Sequence, residues 1–251
     1  MAQRYRRLAL PPLPDDSLSS LPETAARIRG TAHAFGSPLA CFGLEQTVQA
    51  LIEERWPDRI TRKPFYRPTP EPALLGCWDA IGTASFVGEN LLDFVSVIRG
   101  ADAEIRTGEI CAGGDGDNGV LFEKADFARW ADRVKSLYAL ALPPVTEAIA
   151  IYAHTVFAHP FRDGNGRLAR ALIYGSLRRG GLVPGPCLGL GPTFDLCRRP
   201  LALATLALSK RADWPRYVQT LGKVLNLCAA NADQAVAARS RKTCEIAEYA
   251  A

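Results

Sequence analysis

The twelve residues His159-Pro-Phe-Arg-Asp-Gly-Asn-Gly-Arg-Leu-Ala-Arg170 restrict the fold of this chain more than any other stretch. Val145, Ile149, Tyr152, Ala153, Val156 and Phe157 lead into it at helical spacing. Pro160 forbids a smooth continuation of that helix past His159. Gly164-Asn165-Gly166 then opens a second helix, which carries Leu168, Leu172 and Leu177 and stops at Gly180-Gly181. The pattern is helix, short polar loop, helix, with every chemically active group of the segment in the loop or in the turn that follows it.

Those groups suit a phosphate-bearing ligand. A helix N-terminus offers backbone N–H groups and a partial positive charge, and glycines let an anion approach them closely. Gly164, Asn165 and Gly166 therefore predict an anion nest. Arg167 and Arg170 are three apart, share a helix face and can fork onto phosphate oxygens. Asp163 sits at the mouth of the nest, where phosphate would repel it unless a hard cation such as Mg²⁺ bridges the two. His159 is the nearby group able to take a proton near neutral pH. Taken singly, a helix-end histidine is usually a cap, Asp-Gly a turn and two arginines a solvated face. Their coincidence in one loop points to phosphoryl or nucleotidyl transfer, with Phe161 as an anchor into the core.

The rest of the chain reads as mainly helical. Apolar periodicity predicts helices from Leu21 towards Gly30, near Gly43 to Arg55, from about Pro72, and at Leu91 to Ile98 before Gly100. Others follow at Ala125 to Leu140, Leu201 to Ser209 and Trp214 to Ala230. Between them, Glu109 to Phe122 places two short apolar runs around a Gly/Asp/Asn cluster, the pattern of a β-hairpin. Residues 1 to about 20, rich in Pro, Arg and Asp, read as a loose arm, and Arg62 to Pro72 as an extended connector.

Composition removes several function classes. Net charge is +4 with both signs mixed along the chain, and no helix-turn-helix module follows residue 231, so nucleic acid is not an expected partner. Seven cysteines at wide spacings, with no C-x-x-C pair, argue against a disulfide framework or structural zinc and for a reducing, cytoplasmic setting. Three histidines make a histidine-rich metal site hard to build. Pro11-Pro12 interrupts any signal-peptide core after Arg4 to Arg7, and Leu201 to Leu208 is too short to span a bilayer, so no membrane role is expected, although secretion as an effector stays open.

The loop resembles the signature of the Fic (filamentation induced by cAMP) domain family, H-P-F-x-[DE]-G-N-G-R-x-x-R, at every specified position, and Ala212-Asp213-Trp214 resembles the family's later helix. The resemblance implies a Fic-type helical bundle with one β-hairpin flap. It implies transfer of AMP from ATP to a Ser, Thr or Tyr hydroxyl of a protein, the chain itself included, with Mg²⁺ as cofactor. By position, His159 would be the general base, Asp163 the Mg²⁺ ligand, and Gly164, Asn165 and Gly166 the anion hole. Arg167 and Arg170 would hold the β and γ phosphates. Glu109, Ile110, Cys111, Val120 and Leu121 would belong to the flap that docks the target in extended form. The implied organisation is an arm with accessory helices over 1–70, a Fic domain over 71–231 and a tail over 232–251. In it the inhibitory helix spans about 82–99, the flap about 108–122 and the motif 159–170. Homodimerisation is a common mode of regulation in that family.

Ser85-Phe-Val-Gly-Glu89-Asn90 fits a second pattern of the family, [ST]-x-x-x-E-[GN], which marks an inhibitory helix. Ser85 and Glu89 share a helix face. The resemblance implies that Glu89 pairs with Arg170 and so competes with the γ phosphate for one guanidinium. The usual Ile before the Glu and Gly after it are here Gly88 and Asn90. Alternatives stay open: transfer from UTP or CDP-choline, transfer of a bare phosphate, or a catalytically silent module that binds a nucleotide and a partner.

Overall fold

The computed structural model describes residues 6, 7, 9–12, 21–56, 69, 71–112, 120–122 and 125–249. The chain is mainly helical. Helix α1 (Pro22–Ala32) opens on a proline at its first position, carries Glu23 in its first turn and Arg29 in its last, each at the end the helix dipole favours. Helices α2 (Leu44–Arg55), α3 (Glu71–Gly76) and α4 (Leu91–Arg99) follow. After them come α5 (Phe127–Ala139), α6 (Pro144–Ala158) and α7 (Asn165–Arg179), then α8 (Leu190–Leu196), α9 (Arg198–Arg211) and α10 (Trp214–Tyr249).

Helix α6 is the axis of the bundle. Val145, Ala148, Ile149, Ala150, Ile151 and Ala153 are all buried, so the helix is covered on every side and is mostly apolar, as a helix enclosed by others must be. Its most extensive partner is α7, and α5, α10 and α1 also pack on it. An ion pair ties α6 to α7 at the surface end of the contact: the buried Glu147 pairs with the exposed Arg179, whose guanidinium also lies 5.3 Å from the centre of the Tyr138 ring. Of the positions that helical spacing puts on one side of α5, Trp130, Val134, Leu137 and Tyr138 are buried and Phe127 is half-buried. Asp126 caps that helix by accepting from the Arg129 N–H at 2.9 Å.

The helix expected over about 82–99 is interrupted. Phe86–Asn90 is a π-helical turn, and regular α-helix resumes only with α4. Gly88 lies in this turn, where helix propensity is weak. The turn before it is pressed against α7 backbone to backbone. Gly82 adopts φ +88, and a Cβ on Gly175 would stand 2.6 Å from the Gly82 nitrogen. At the other end Arg99 and Ile98 lie against Gly164. The segment 82–99 therefore runs antiparallel to α7, from Gly175 back to the start of the motif helix.

Three short strands lie beside these helices in the order β1-β3-β2. Strand β2 (Ile110–Ala112) pairs antiparallel with β3 (Val120–Phe122), Ile110 opposite Phe122 and Ala112 opposite Val120. The turn read as the hairpin tip, 113–119, lies outside the described residues. Strand β1 (Arg6–Arg7) pairs parallel with Val120 and Leu121. This corrects the expectation of a loose arm. The arm's described residues are tied down further on, where the Ala9 N–H donates to Ser209 Oγ at 3.0 Å and Trp214 Nε1 donates to the Pro12 carbonyl at 2.9 Å. The short polar tail expected after residue 231 is corrected too, because α10 continues to Tyr249 with Ala232 and Ala235 buried.

The Gly82–Gly175 contact gives a stability prediction. Gly175→Ala drives a methyl into backbone that cannot rotate away. It is expected to destabilise the protein by about 2–3 kcal/mol, read as a lower midpoint in urea unfolding. Gly36→Ala, with open space around it, is the control.

Candidate active site

The loop between α6 and α7 is built by two left-handed residues. His159 ends α6 with φ 47 and ψ 57, a region histidine tolerates better than most side chains. Gly164, with φ 90, caps the start of α7. Between them the backbone is clamped by the stretch before the hairpin. The Arg106 N–H donates to the Pro160 carbonyl at 2.9 Å, the Arg162 N–H to the Glu104 carbonyl at 3.0 Å, and Ile105 bridges Phe161. Phe161 is fully buried and meets Phe127 and Trp130 edge-on, so it anchors the loop.

Asn165 holds that anchor. Its Oδ1 accepts from the Phe161 N–H at 2.9 Å and its Nδ2 donates to the Phe161 carbonyl at 2.7 Å. The side chain is thus buried and turned onto its own loop. What Asn165 offers a ligand is backbone. The first intrahelical bond of α7 runs from the Leu168 N–H to the Gly164 carbonyl, so the N–H groups of residues 165, 166 and 167 precede the ladder, as in any helix N-terminus. Gly166 is exposed there, and Arg170 turns back towards it, one guanidinium nitrogen lying 3.6 Å from where a Cβ on Gly166 would stand.

Arg167 has partners within the protein. It is buried, donates to the Ile98 carbonyl at the C-terminus of α4, and pairs with Asp163 at 3.1 Å. A guanidinium is well matched to the negative end of a helix. Its geometry is that of a clamp between α4 and the loop. The Asp163 side chain remains 52% exposed beside the nest. Among the described residues no group of three or more His, Cys, Asp or Glu could hold a metal ion by itself. A single exposed carboxylate next to a phosphate nest fits Mg²⁺, which takes one or two carboxylates and completes its shell with phosphate oxygens and water.

His159 is half-buried, and its ring stacks on Phe122 with centroids 4.3 Å apart and 25° between planes. Burial, helped by the nearby Arg106 cation and opposed by Asp163, pushes its pKa down to about 4. The imidazole is therefore neutral at pH 7 and able to accept a proton.

Two residues that the sequence reading passed over complete the site. Arg106 is buried and donates to the carbonyls of Ala158, His159, Gly108 and Phe122. Phe122 supplies the ring against the base. A lone arginine in an aperiodic stretch carries no local signal, so only the tertiary fold reveals it. Of the flap residues, Glu109 is exposed and Ile110 half-buried; Cys111, Val120 and Leu121 are placed by backbone alone, their side chains lying outside the described residues. Ser85 and Glu89 are exposed, and Ser85 Oγ donates to Glu89 Oε2 at 3.1 Å. Glu89 is seven residues past Gly82 and ten before Arg99, so on this antiparallel run it stands beside the middle of α7, at the level of Arg170.

Comparison with known proteins agrees with the class defined by this loop and bundle. Residues 115–177 match the Fic/DOC family. Proteins described as "Protein adenylyltransferase Fic" match over 99 residues: the one from Drosophila willistoni is 35% identical and the one from Drosophila melanogaster 34%. The match covers 38% of this chain but only 18% and 19% of those proteins, less than a fifth of their length. The crystal structure of a Fic family protein from Desulfovibrio desulfuricans G20 superposes with a TM-score of 0.63 over 89% of this chain and 77% of that one, at 17% identity, a likeness of fold. No helix among the described residues is long and apolar enough to cross a membrane.

The buried histidines set a pH dependence. His154, like His159, is pushed down to about 4, chiefly by burial and secondarily by Arg133. Between pH 4 and about 6.5 the unfolded chain binds protons at these positions that the folded chain does not. Their contribution to stability is therefore complete above about pH 6.5 and lost as pH falls towards 4. Thermal midpoints should fall across that window, and less steeply in His159→Asn.

Proposed function

We propose that this chain is a Fic-type protein adenylyltransferase that moves AMP from ATP to a hydroxyl of a protein. The observation that carries the reading is a neutral, half-buried imidazole held beside a helix N-terminus fitted for phosphate. The names of the relatives over the same region support the donor. A Ser, Thr or Tyr hydroxyl of the target, or of the chain itself, loses its proton to His159. The hydroxyl oxygen forms a bond to the α-phosphorus as the bond from that phosphorus to the bridging oxygen breaks, and pyrophosphate leaves. The N–H groups at the start of α7 and the Arg170 guanidinium stabilise the charge on the phosphates as it redistributes. Mg²⁺, when bound by Asp163 and the nucleotide, supplies further neutralisation of the phosphates. The paired strands Ile110–Ala112 and Val120–Phe122 act as the flap, lending a sheet edge to an extended segment of the target.

In this reading Glu89, held by Ser85 on the segment that runs along α7, competes with the γ phosphate for Arg170 and so restrains the activity. Incubation with ATP labelled on the α-phosphate, followed by gel and intact mass, tests both points. Glu89→Gly should take up more label than wild type, and His159→Ala should lose about 100-fold or more, the usual worth of a general base. Equal label on wild type and Glu89→Gly would remove the inhibitory helix from this reading. The absence of label from every variant, with transfer from UTP, CDP-choline or γ-labelled ATP, would move the function to another donor; absence from all donors would leave a nucleotide-binding module.

A further inference from the structure

We propose that Arg106 is the positioning residue of the base, joining the root of the hairpin to His159 through one buried side chain. The inference rests on the role given to His159 above and extends it to a residue outside the motif. The contacts are dense. Arg106 Nε donates to the His159 carbonyl at 2.8 Å and Nη2 to the Ala158 carbonyl at 3.1 Å. Nη1 donates to the Gly108 carbonyl at 2.6 Å and to the Phe122 carbonyl at 3.1 Å. Its backbone N–H holds Pro160.

These partners explain why the residue is an arginine. Ala158 and His159 belong to the last turn of α6, whose carbonyls have no partner within the helix and form the negative end of its dipole. Gly108 and Phe122 flank the base of the hairpin. A planar head with five donors spans both sets at once, whereas an ammonium on a flexible stem presents a point charge. The cation is 3% exposed, and its guanidinium meets four carbonyl dipoles; it needs that many acceptors to be tolerated there.

The consequence is mechanical. His159 sits in a left-handed conformation with its carbonyl gripped by Arg106, and its ring lies on Phe122, whose carbonyl is gripped by the same head. The base and the strand of the hairpin nearest to it move as a unit. A displacement of about 1 Å at a reacting group is enough to cost on the order of 100-fold in rate.

The test compares wild type, Arg106→Gln and Arg106→Lys by three readouts: unfolding midpoint, affinity for Mg–ATP, and the proton shifts of the His159 ring, which report its stacking on Phe122. Rates of self-labelling with ATP are measured alongside. In folded variants the expected result is unchanged ATP affinity, loss of the stacked ring shift, and a maximal labelling rate lower by about tenfold or more with little change in the ATP concentration needed. Where Gln does not fold, Lys, which keeps a cation and part of the donor set, is the variant read. A His159 ring shift identical to wild type in either folded variant overturns the proposal, whatever the labelling shows. If wild type transfers no nucleotide, the functional reading fails, while the ring shift still decides whether Arg106 positions the histidine.

Discussion

Buried side chains turned onto backbone hold the junction of α6 and α7, and the site depends on them. Asn165 brackets Phe161, Arg167 reaches the last carbonyls of α4, and Arg106 takes those of α6. A tight loop between two helices leaves carbonyls at one end and N–H groups at the other without partners in the helix ladders. Here the carbonyl end is filled by arginine heads, while the N–H end faces outward beside Gly166. The asymmetry leaves one surface positive and rich in donors, which is the surface an anionic ligand requires.

Much of this was legible in the sequence and some was not, for definite reasons. Helices α5, α6 and α7 were readable because their buried positions recur at 3.6-residue spacing, and the loop was readable because its glycines and proline punctuate that spacing. The nest read at Gly164, Asn165 and Gly166 rests on backbone groups and showed in the glycines and the helix start. That the side chains of Asn165 and Arg167 also hold the loop did not show, because their carbonyl and amide partners are backbone groups that no side-chain pattern displays. The continuation of α10 was missed because Ala229, Ala232 and Ala235 bury little surface each and give a weak periodicity.

Glu89 illustrates how a short pattern gains or loses meaning through placement. Four-residue spacing put Ser85 and Glu89 on one helix face, and the hydrogen bond between them agrees with that. What spacing cannot supply is which stretch of a neighbouring helix that face meets. The antiparallel run of 82–99 along α7, fixed at one end by Gly82 on Gly175 and at the other by Arg99 on Gly164, puts Glu89 beside the middle of α7, at the level of Arg170.

The parallel strand Arg6–Arg7 has a consequence for anything that binds the hairpin. Strand β3 is the one whose Phe122 touches the histidine, and it is flanked on both sides, by β2 and by β1. A visiting polypeptide can extend the sheet from its margin beyond β2, or it can take the place of β1 next to β3. The second route breaks a ladder of only two residues, yet Ser209 and Trp214 grip the chain just after it. The start of the protein would then peel from the sheet while staying moored to α9 and α10, free to return when the visitor leaves.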